Sequence, residues 1–274
     1  WITPPLANLS NGPSGFSHYP GLGLPERYKQ HFFLSDYGFA AARSMIWSFA
    51  LNPKGAGFEM VDAHEFANNE LFIDQDFGYD GKLYAISAPV FGGKKRIRTF
   101  FDPSQQGSAG VTEVGQLFSE GFDKQNEGRL LKLLAHSDQR VRQSAQFELV
   151  KRKRASALNA IAINAEEAEL SRIHALWGLG QLRAQKIMSG WGDLSQFQGE
   201  VLAQALKVVG EAQVQAQSGA VRAYLSHHNS RVAYFAAKAA GSLQDKKAIG
   251  NLMQLADRAA QSEDPFLRHA VVWA

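Results

Sequence analysis

The sequence predicts a β-plus-α multidomain protein in which the last blades of a partial β-propeller precede a HEAT-like α-solenoid. Three observations predict this fold class. Every proline except Pro265, and two thirds of the phenylalanines, lie before residue 104. That first part contains short runs of aromatic and β-branched residues, which are typical of strands. The remainder carries a repeated apolar pattern with the spacing of one helix face.

Five short runs in the first part predict antiparallel strands, because each is bounded by Gly, Asn, Pro or Asp. They are 31–36 (HFFLSD), 45–51 (MIWSFAL), 58–61 (FEMV), 82–87 (KLYAIS) and 96–101 (RIRTFF). Residues 1–27 are predicted to form a long loop that leads into them. The pair Asp80-Gly81 predicts a two-residue type I′ hairpin turn, since both residues tolerate a positive φ.

A weak internal repeat predicts propeller blades. Phe32-Phe33 with 46–53 (IWSFALNP) is echoed by Leu83-Tyr84 with 96–103 (RIRTFFDP). The period of about fifty residues suits a blade, and about 100 residues can supply two blades. We therefore expect the remaining blades to lie outside this sequence, which is then an excerpt of a larger polypeptide.

The composition also predicts the domain boundaries. Pro, Ser and Gly accumulate between Asp102 and Gly121, as in a linker. The sequence therefore divides into blades over 1–103, a linker over 104–124 and a truncated solenoid over 125–274.

In the second part, an apolar triplet at positions i, i+4 and i+8 recurs about every thirty residues, which predicts stacked helix pairs. Its small central residues are Ala145, Ala175, Ala205 and Ala236. Predicted helix starts are Ser137-Asp138, Asn229-Ser230 and Asp264-Pro265, and predicted helix-ending glycines are Gly180, Gly210 and Gly241.

The composition excludes several classes of function. A net charge of +3 gives no electrostatic case for a nucleic-acid-binding or polybasic membrane protein. The basic cluster 151–154 (KRKR) is interpreted as a solvated helix end, so neither nucleic acid nor a membrane is predicted as a partner. With no cysteine, these residues contain no disulfide, thiolate metal site or CxxCH haem attachment. They also contain no phosphate-binding loop, GxSxG or HExxH motif, and no metal site is predicted.

Three segments carry a resemblance to a known family: 11–28 (NGPSGFSHYPGLGLPERY), 48–62 (SFALNPKGAGFEMVD) and 76–84 (DFGYDGKLY). Followed by HEAT-like repeats, they resemble the bacterial membrane-bound dehydrogenase-like propeller/HEAT/cytochrome c family. Its propeller is similar to the quinoprotein glucose/sorbosone dehydrogenases. The resemblance implies a periplasmic or secreted protein, with a c-type haem in a region beyond these residues.

The same resemblance implies pyrroloquinoline quinone as a cofactor, although no cofactor is evident in this segment. In the sugar dehydrogenases, a lysine and two arginines bind the carboxylates of the quinone. The alignment places Asp36 or Tyr37 at the lysine and Leu71 and Ile73 at the arginines. The cations that would hold the quinone are therefore absent here.

Six residues of the first part are candidate cofactor-binding or substrate-binding residues, and no catalytic residue is assigned. Loop residues are predicted to line the central pocket of the propeller, and charged residues beside hairpins to bind sugar hydroxyls or an ion. The candidates are Ser14, Tyr19, Asp36, Arg43, Asp74 and Asp76. The alternative is structural, with turns in the loop and carboxylates that accept backbone N–H bonds.

Two functions follow from these residues and from the resemblance. In the first, the protein oxidises sugar-like alcohols or aldehydes and passes electrons to the haem outside this segment. In the second, it is a non-catalytic binding or scaffold module, in which the propeller loops and the solenoid surface bind a glycan or a partner protein.

Overall fold

The computed structural model describes residues 3–88, 94–186 and 192–274. Trp1 and Ile2, at the start of the predicted loop 1–27, lie outside the described residues. Within the described ranges, the chain forms seven strands followed by ten α-helices.

The strands form two antiparallel sheets in which neighbours in sequence pair with each other. The first sheet has the order β1-β2-β3-β4 and the second the order β5-β6-β7. The strands are Pro13–His18 (β1), His31–Asp36 (β2), Met45–Lys54 (β3), Gly57–Asn68 (β4), Leu71–Phe77 (β5), Leu83–Ala88 (β6) and Arg96–Phe100 (β7).

This arrangement contradicts the predicted propeller. Neither of the two described sheets is closed or arranged as a propeller blade, and together they resemble a β-sandwich. The repeat of about fifty residues corresponds to two similar hairpins, β2–β3 and β6–β7, in separate sheets. Their alternate apolar residues fill one shared core, which includes Phe33, Ile46, Leu83 and Ala85. The prediction of terminal propeller blades, and the fold class that depends on it, is therefore wrong.

The five predicted strands are confirmed as β2, β3, β4, β6 and β7, whereas two strands escaped prediction. Strand β1 lies inside the predicted loop 1–27, and β5 has the mixed sequence LFIDQDF. The predicted hairpin between β5 and β6 exists, but its turn is longer than two residues. Gly78 N–H donates to Lys82 O at 2.9 Å and closes the loop, and of Asp80-Gly81 only Gly81 has a positive φ, of 77°.

The ten described helices follow the sheets, and the first of them occupies most of the predicted linker 104–124. They are Ala109–Glu120 (α1), Glu127–Leu133 (α2), Gln139–Lys151 (α3), Ala155–Ile163 (α4), Glu169–Ala184 (α5), Gly199–Glu211 (α6), Ser218–Tyr224 (α7), Ser230–Ser242 (α8), Ile249–Gln261 (α9) and Pro265–Trp273 (α10).

Helices α3, α5, α6, α8 and α10 pack one against the next along the chain. The four predicted central alanines lie in these contacts and are fully buried, so the predicted helix face is confirmed. The caps Asp138, Asn229 and Asp264 are also confirmed, since each side chain accepts a backbone N–H of the following helix.

The predicted helix-ending glycines have a different role. Gly180, Gly210 and Gly241 lie inside α5, α6 and α8. A Cβ on Gly210 would lie 2.8 Å from the Cα of Ala239, so this glycine permits close packing between α6 and α8. The left-handed residues after these helices are Lys186, Gln213 and Gln244.

Contacts at the starts of α3 and α8 help to join the sheets to the helices. At the start of α3, Arg140 Nη1 donates to the carbonyl oxygens of Phe77 at 2.7 Å and Gly78 at 3.2 Å. At the start of α8, Arg231 Nη1 donates to Ala56 O in the β3–β4 turn at 3.3 Å.

Candidate functional site

Two cavities adjoin at Gln139, where the sheets meet the helices. The first, which we name the junction cleft, has a volume of about 380 Å³ and lies between β1, β5 and the start of α3. Its lining includes Phe16, His18, Asp74, Asp76, Gln139 and Arg140. The second, the helix groove, has a volume of about 370 Å³ and lies on α3, α5 and α6.

Asp74 and Asp76 bring two carboxylates to the junction cleft. They are two positions apart on β5 and therefore share a face of the strand. Asp74 Oδ1 accepts the N–H of Gln75 at 2.9 Å, and Asp76 Oδ1 accepts the N–H of Phe77 at 2.8 Å. Each carboxylate thus accepts a backbone N–H with one oxygen, as the structural alternative expected. Both side chains are nevertheless exposed to solvent.

Beside the carboxylates, β1 contributes polar atoms that are buried. Ser17 Oγ and His18 Nδ1 have no hydrogen-bond partner within the described residues. Burial lowers the pKa of His18, a hydrogen bond with Gln139 opposes this shift, and the charge of Arg142 adds to it. His18 is therefore neutral at pH 7 and can exchange hydrogen bonds with an uncharged ligand.

Three phenylalanine rings stack on neighbouring strands β1, β2 and β3, and the ring on β1 lies at the cleft. The rings of Phe16 and Phe32 stack with centroids 5.5 Å apart, and those of Phe32 and Phe49 with centroids 5.6 Å apart. Phe16 is 60% exposed and lines the cleft. Its ring therefore offers an apolar surface next to the two carboxylates.

The other four predicted site residues lie apart from this cleft. Ser14 on β1 donates its hydroxyl to the carbonyl oxygen of Phe72 on β5 at 3.4 Å, and this bond connects the two sheets. Arg43 is exposed in a short 3-10 turn, Ala41–Arg43. Of the six candidates, the structure therefore brings only Asp74 and Asp76 together.

Tyr19 and Asp36 are structural residues. Tyr19 is 2% exposed, and its hydroxyl donates to Leu24 O at 3.0 Å and accepts from Leu24 N–H at 2.9 Å. Burial raises the pKa of Tyr19 to about 12. Asp36 is buried and accepts the N–H of Gly12 at 3.0 Å and the indole N–H of Trp47 at 3.4 Å.

The residues that align with the quinone-binding cations do not suit a quinone. Asp36 is an anion that already bonds the protein, and Leu71 is 3% exposed in the core. Ile73 has no polar side-chain atom. The carboxylates of pyrroloquinoline quinone would meet no cation at these positions.

The helix groove combines amide, aromatic and cationic side chains. Phe147 on α3 is 49% exposed, and Trp177 and Gln181 on α5 lie one helical turn apart. On α6, Lys207 Nζ lies 5.4 Å from the ring centroid of Trp177. Below these residues lies a buried polar layer of Arg142, Gln146 and His174.

Apart from Asp74 and Asp76, the residues named above as lining the junction cleft and the helix groove were not predicted from the sequence. Gln139, Gln143 and Gln146 carry a readable signal, because positions i, i+4 and i+7 lie on one helix face. His18 has no such signal, since it reaches Gln139 only through the packing of β1 on α3.

Across the described ranges, no group of three or more His, Asp and Glu side chains is placed to hold a metal ion. No helix in those ranges has both the length and the apolar composition needed to cross a membrane. Comparison of the chain with protein families, curated proteins and solved structures finds no match.

Proposed function

We propose that this chain is a binding module that holds a neutral sugar or oligosaccharide in the junction cleft. The observation that carries the proposal is that an exposed aromatic ring, Phe16, and two exposed carboxylates, Asp74 and Asp76, line one cleft.

A sugar ring matches this combination of groups. Its edge carries several O–H donors, and an ionised carboxylate is purely an acceptor with room for more than one hydrogen bond. Hydrogen bonds with a charged partner are roughly twice as strong as neutral ones. The C–H face of the sugar can pack on Phe16, while the amide of Gln139 and the neutral ring of His18 supply further polar partners.

The charge of the cleft favours a neutral ligand over an anionic one. Asp74 and Asp76 contribute two negative charges, and Arg140 contributes one positive charge. The guanidinium of Arg140 is engaged by the buried carboxylate of Asp138 and by Phe77 O. A phosphate or sugar acid would therefore meet two carboxylates without a free cation from Arg140.

This proposal corresponds to the non-catalytic alternative from the sequence. Oxidation of sugar-like substrates, electron transfer to a c-type haem and a periplasmic or secreted location stay predictions, because they depend on the family resemblance. A partner protein bound by the helices also stays a prediction.

The test is a titration of the 274-residue chain with a panel of neutral mono- and oligosaccharides, followed by saturation-transfer NMR and calorimetry. We expect binding by at least one saccharide, and a loss of tenfold or more in affinity for Phe16→Ala and for the double variant Asp74→Asn/Asp76→Asn. Phe39→Ala is the matched control, because Phe39 is 80% exposed and does not line the cleft.

Three outcomes would overturn the proposal. They are the absence of binding across the panel, equal affinity of the cleft variants and the wild type, and binding of simple amines in place of saccharides. The last outcome would identify the carboxylates as a site for cations.

A further inference from the structure

The floor of the helix groove is a chain of hydrogen bonds with a fixed direction. Arg142 Nε, which can only donate, lies 3.4 Å from His174 Nε2. The Nε2 atom of His174 must therefore accept, so the proton of the neutral ring is on Nδ1. That Nδ1–H donates to Gln146 Oε1 at 2.7 Å.

The chain of hydrogen bonds continues from Gln146 to Gln181, which lines the groove. Because Gln146 uses its oxygen toward His174, its amide Nε2 donates to Gln181 Oε1 at 3.2 Å. The oxygen of Gln181 is thus held on the inner side, and its NH₂ group remains as a donor at the end of the chain. Burial, followed by the charge of Arg142, lowers the pKa of His174 to about 4, so this arrangement persists at neutral pH.

A second donor lies across the groove. The ammonium of Lys207 is 5.4 Å from the ring centroid of Trp177 and 4.0 Å from Glu211 Oε1. Glu211 also lines the groove, but it is exposed to solvent, and at this distance its ion pair with Lys207 is weak. Lys207 can therefore turn to a ligand, and the cation of Arg142 beneath the floor adds positive potential.

Two aromatic side chains line the groove together with these donors. The faces of Trp177 and Phe147 line the same cavity as Gln181 and Lys207. A volume of about 370 Å³ lies within the range of roughly 300–1,000 Å³ that is common for small-molecule sites. The groove therefore offers two donors, one of them charged, beside an aromatic surface.

We propose that the helix groove binds a carboxylate attached to an aromatic or branched apolar group. The carboxylate accepts hydrogen bonds from the amide of Gln181 and the ammonium of Lys207, while the apolar group packs on Trp177 and Phe147. Such a group occurs in a free carboxylic acid and in the C-terminal residue of a polypeptide. The groove and the junction cleft share Gln139, which takes no part in this site, so the two proposals stand or fall independently.

The test measures binding of three probes to the full chain by calorimetry and by the indole N–H signals in NMR. The probes are 3-phenylpropanoate, the tripeptide Gly-Gly-Phe and its C-terminal amide. Equal or tighter binding of 3-phenylpropanoate indicates a free acid as the source, and tighter binding of the tripeptide indicates a polypeptide terminus. Both results support the carboxylate site. Absence of binding by both acids, or binding of the amide that is as tight as that of the tripeptide, overturns it.

Gln181→Glu tests the oriented donor with little change of shape. The new carboxylate can still accept from Gln146, but it replaces the outward NH₂ with a negative oxygen. We expect at least a tenfold loss of affinity for 3-phenylpropanoate, and a similar loss for Lys207→Met.

Lys238→Met is the matched control, because Lys238 also lies over an indole, 3.4 Å from the ring centroid of Trp273, but outside the groove. Wild-type affinity in Gln181→Glu, or an equal loss in Lys238→Met, would contradict the proposed site.

Discussion

Asp264 accepts the backbone N–H of Ala56 through Oδ2 at 2.7 Å, and so joins the start of α10 to the β3–β4 turn. Its other oxygen caps α10 by accepting the N–H groups of Phe266 at 3.0 Å and Leu267 at 2.9 Å. One side chain thus links a helix end to a strand turn that is distant in sequence.

Asp264→Ala should lower the free energy of unfolding by about 3 kcal/mol, since it removes an N-cap of about 1 kcal/mol and a charge-assisted hydrogen bond to a buried turn. Urea denaturation of the full chain measures this change. Asn229→Ala is the control, because the Asn229 side chain accepts the N–H groups of Arg231 and Val232 at the start of α8. This variant should lose only the stability of an N-cap, about 1 kcal/mol. Equal losses in both variants would show that the bond to Ala56 contributes nothing.

Gly210→Ala should destabilise the contact between α6 and α8. The added Cβ would lie 2.8 Å from the Cα of Ala239, so a helix must shift, at a cost of about 1–3 kcal/mol. Gly250→Ala in α9 is the matched change, because a Cβ there meets no atom within 4 Å. It should be neutral or stabilise by up to about 1 kcal/mol, through helix propensity. Thermal unfolding should therefore show a lower melting temperature for Gly210→Ala than for the wild type, and an unchanged or higher one for Gly250→Ala.

The helices were more predictable than the sheets, for a physical reason. The period that places Ala145 and Ala175 on a buried face is local, so it is visible in the sequence. Strand runs reveal hairpins, but the way two sheets pack depends on contacts such as that between Phe33 and Phe77 across the core. The same hairpin spacing fits a propeller or a sandwich, and the prediction chose the former.

The candidate site shows the same limit. Asp74 and Asp76 were predicted because acidic residues beside a hairpin are visible in the sequence. The ring of Phe16 and the amide of Gln139 join them only through the packing of β1, β5 and α3. Helix ends were misjudged because Lys186, Gln213 and Gln244 adopt the left-handed conformation in which glycine is usually expected.

His174 should make the protein less stable in mild acid. Burial lowers its pKa from 6.5 to about 4. Between these pH values the unfolded chain binds a proton at this histidine and the folded chain does not. The free energy of unfolding should therefore fall as the pH decreases from about 6.5 to 4, by at most about 3 kcal/mol from this group, and level off below 4. Denaturation at a series of pH values measures the slope.

His174→Gln should flatten that slope, because it removes the buried group that takes up a proton only on unfolding. Some slope will remain, because burial also lowers the pKa values of His18, His31 and His227. An unchanged slope in His174→Gln would contradict a buried neutral histidine at this position.

Arg140 joins α3 to the second sheet through hydrogen bonds to backbone carbonyl oxygens. Its Nη1 donates to Phe77 O at 2.7 Å, while its Nη2 lies 2.7 Å from Oδ2 of Asp138, the fully buried N-cap of α3. The guanidinium also lies 5.0 Å from the ring centroid of Tyr79. Each of these contacts depends on the planar, permanently charged group that arginine supplies.

Arg140→Met should destabilise the fold by about 1–3 kcal/mol, because it removes charge-assisted hydrogen bonds to the buried carboxylate of Asp138 and to Phe77 O. It should also speed hydrogen exchange in the loop 78–82, which loses its anchor on α3. Arg98→Met is the control, since Arg98 pairs with Glu70 at the surface, with 44% of its side chain exposed, and should change stability little. If the two variants unfold at the same urea concentration, the bonds from Arg140 to Asp138 and to Phe77 O contribute no stability beyond that of a surface ion pair.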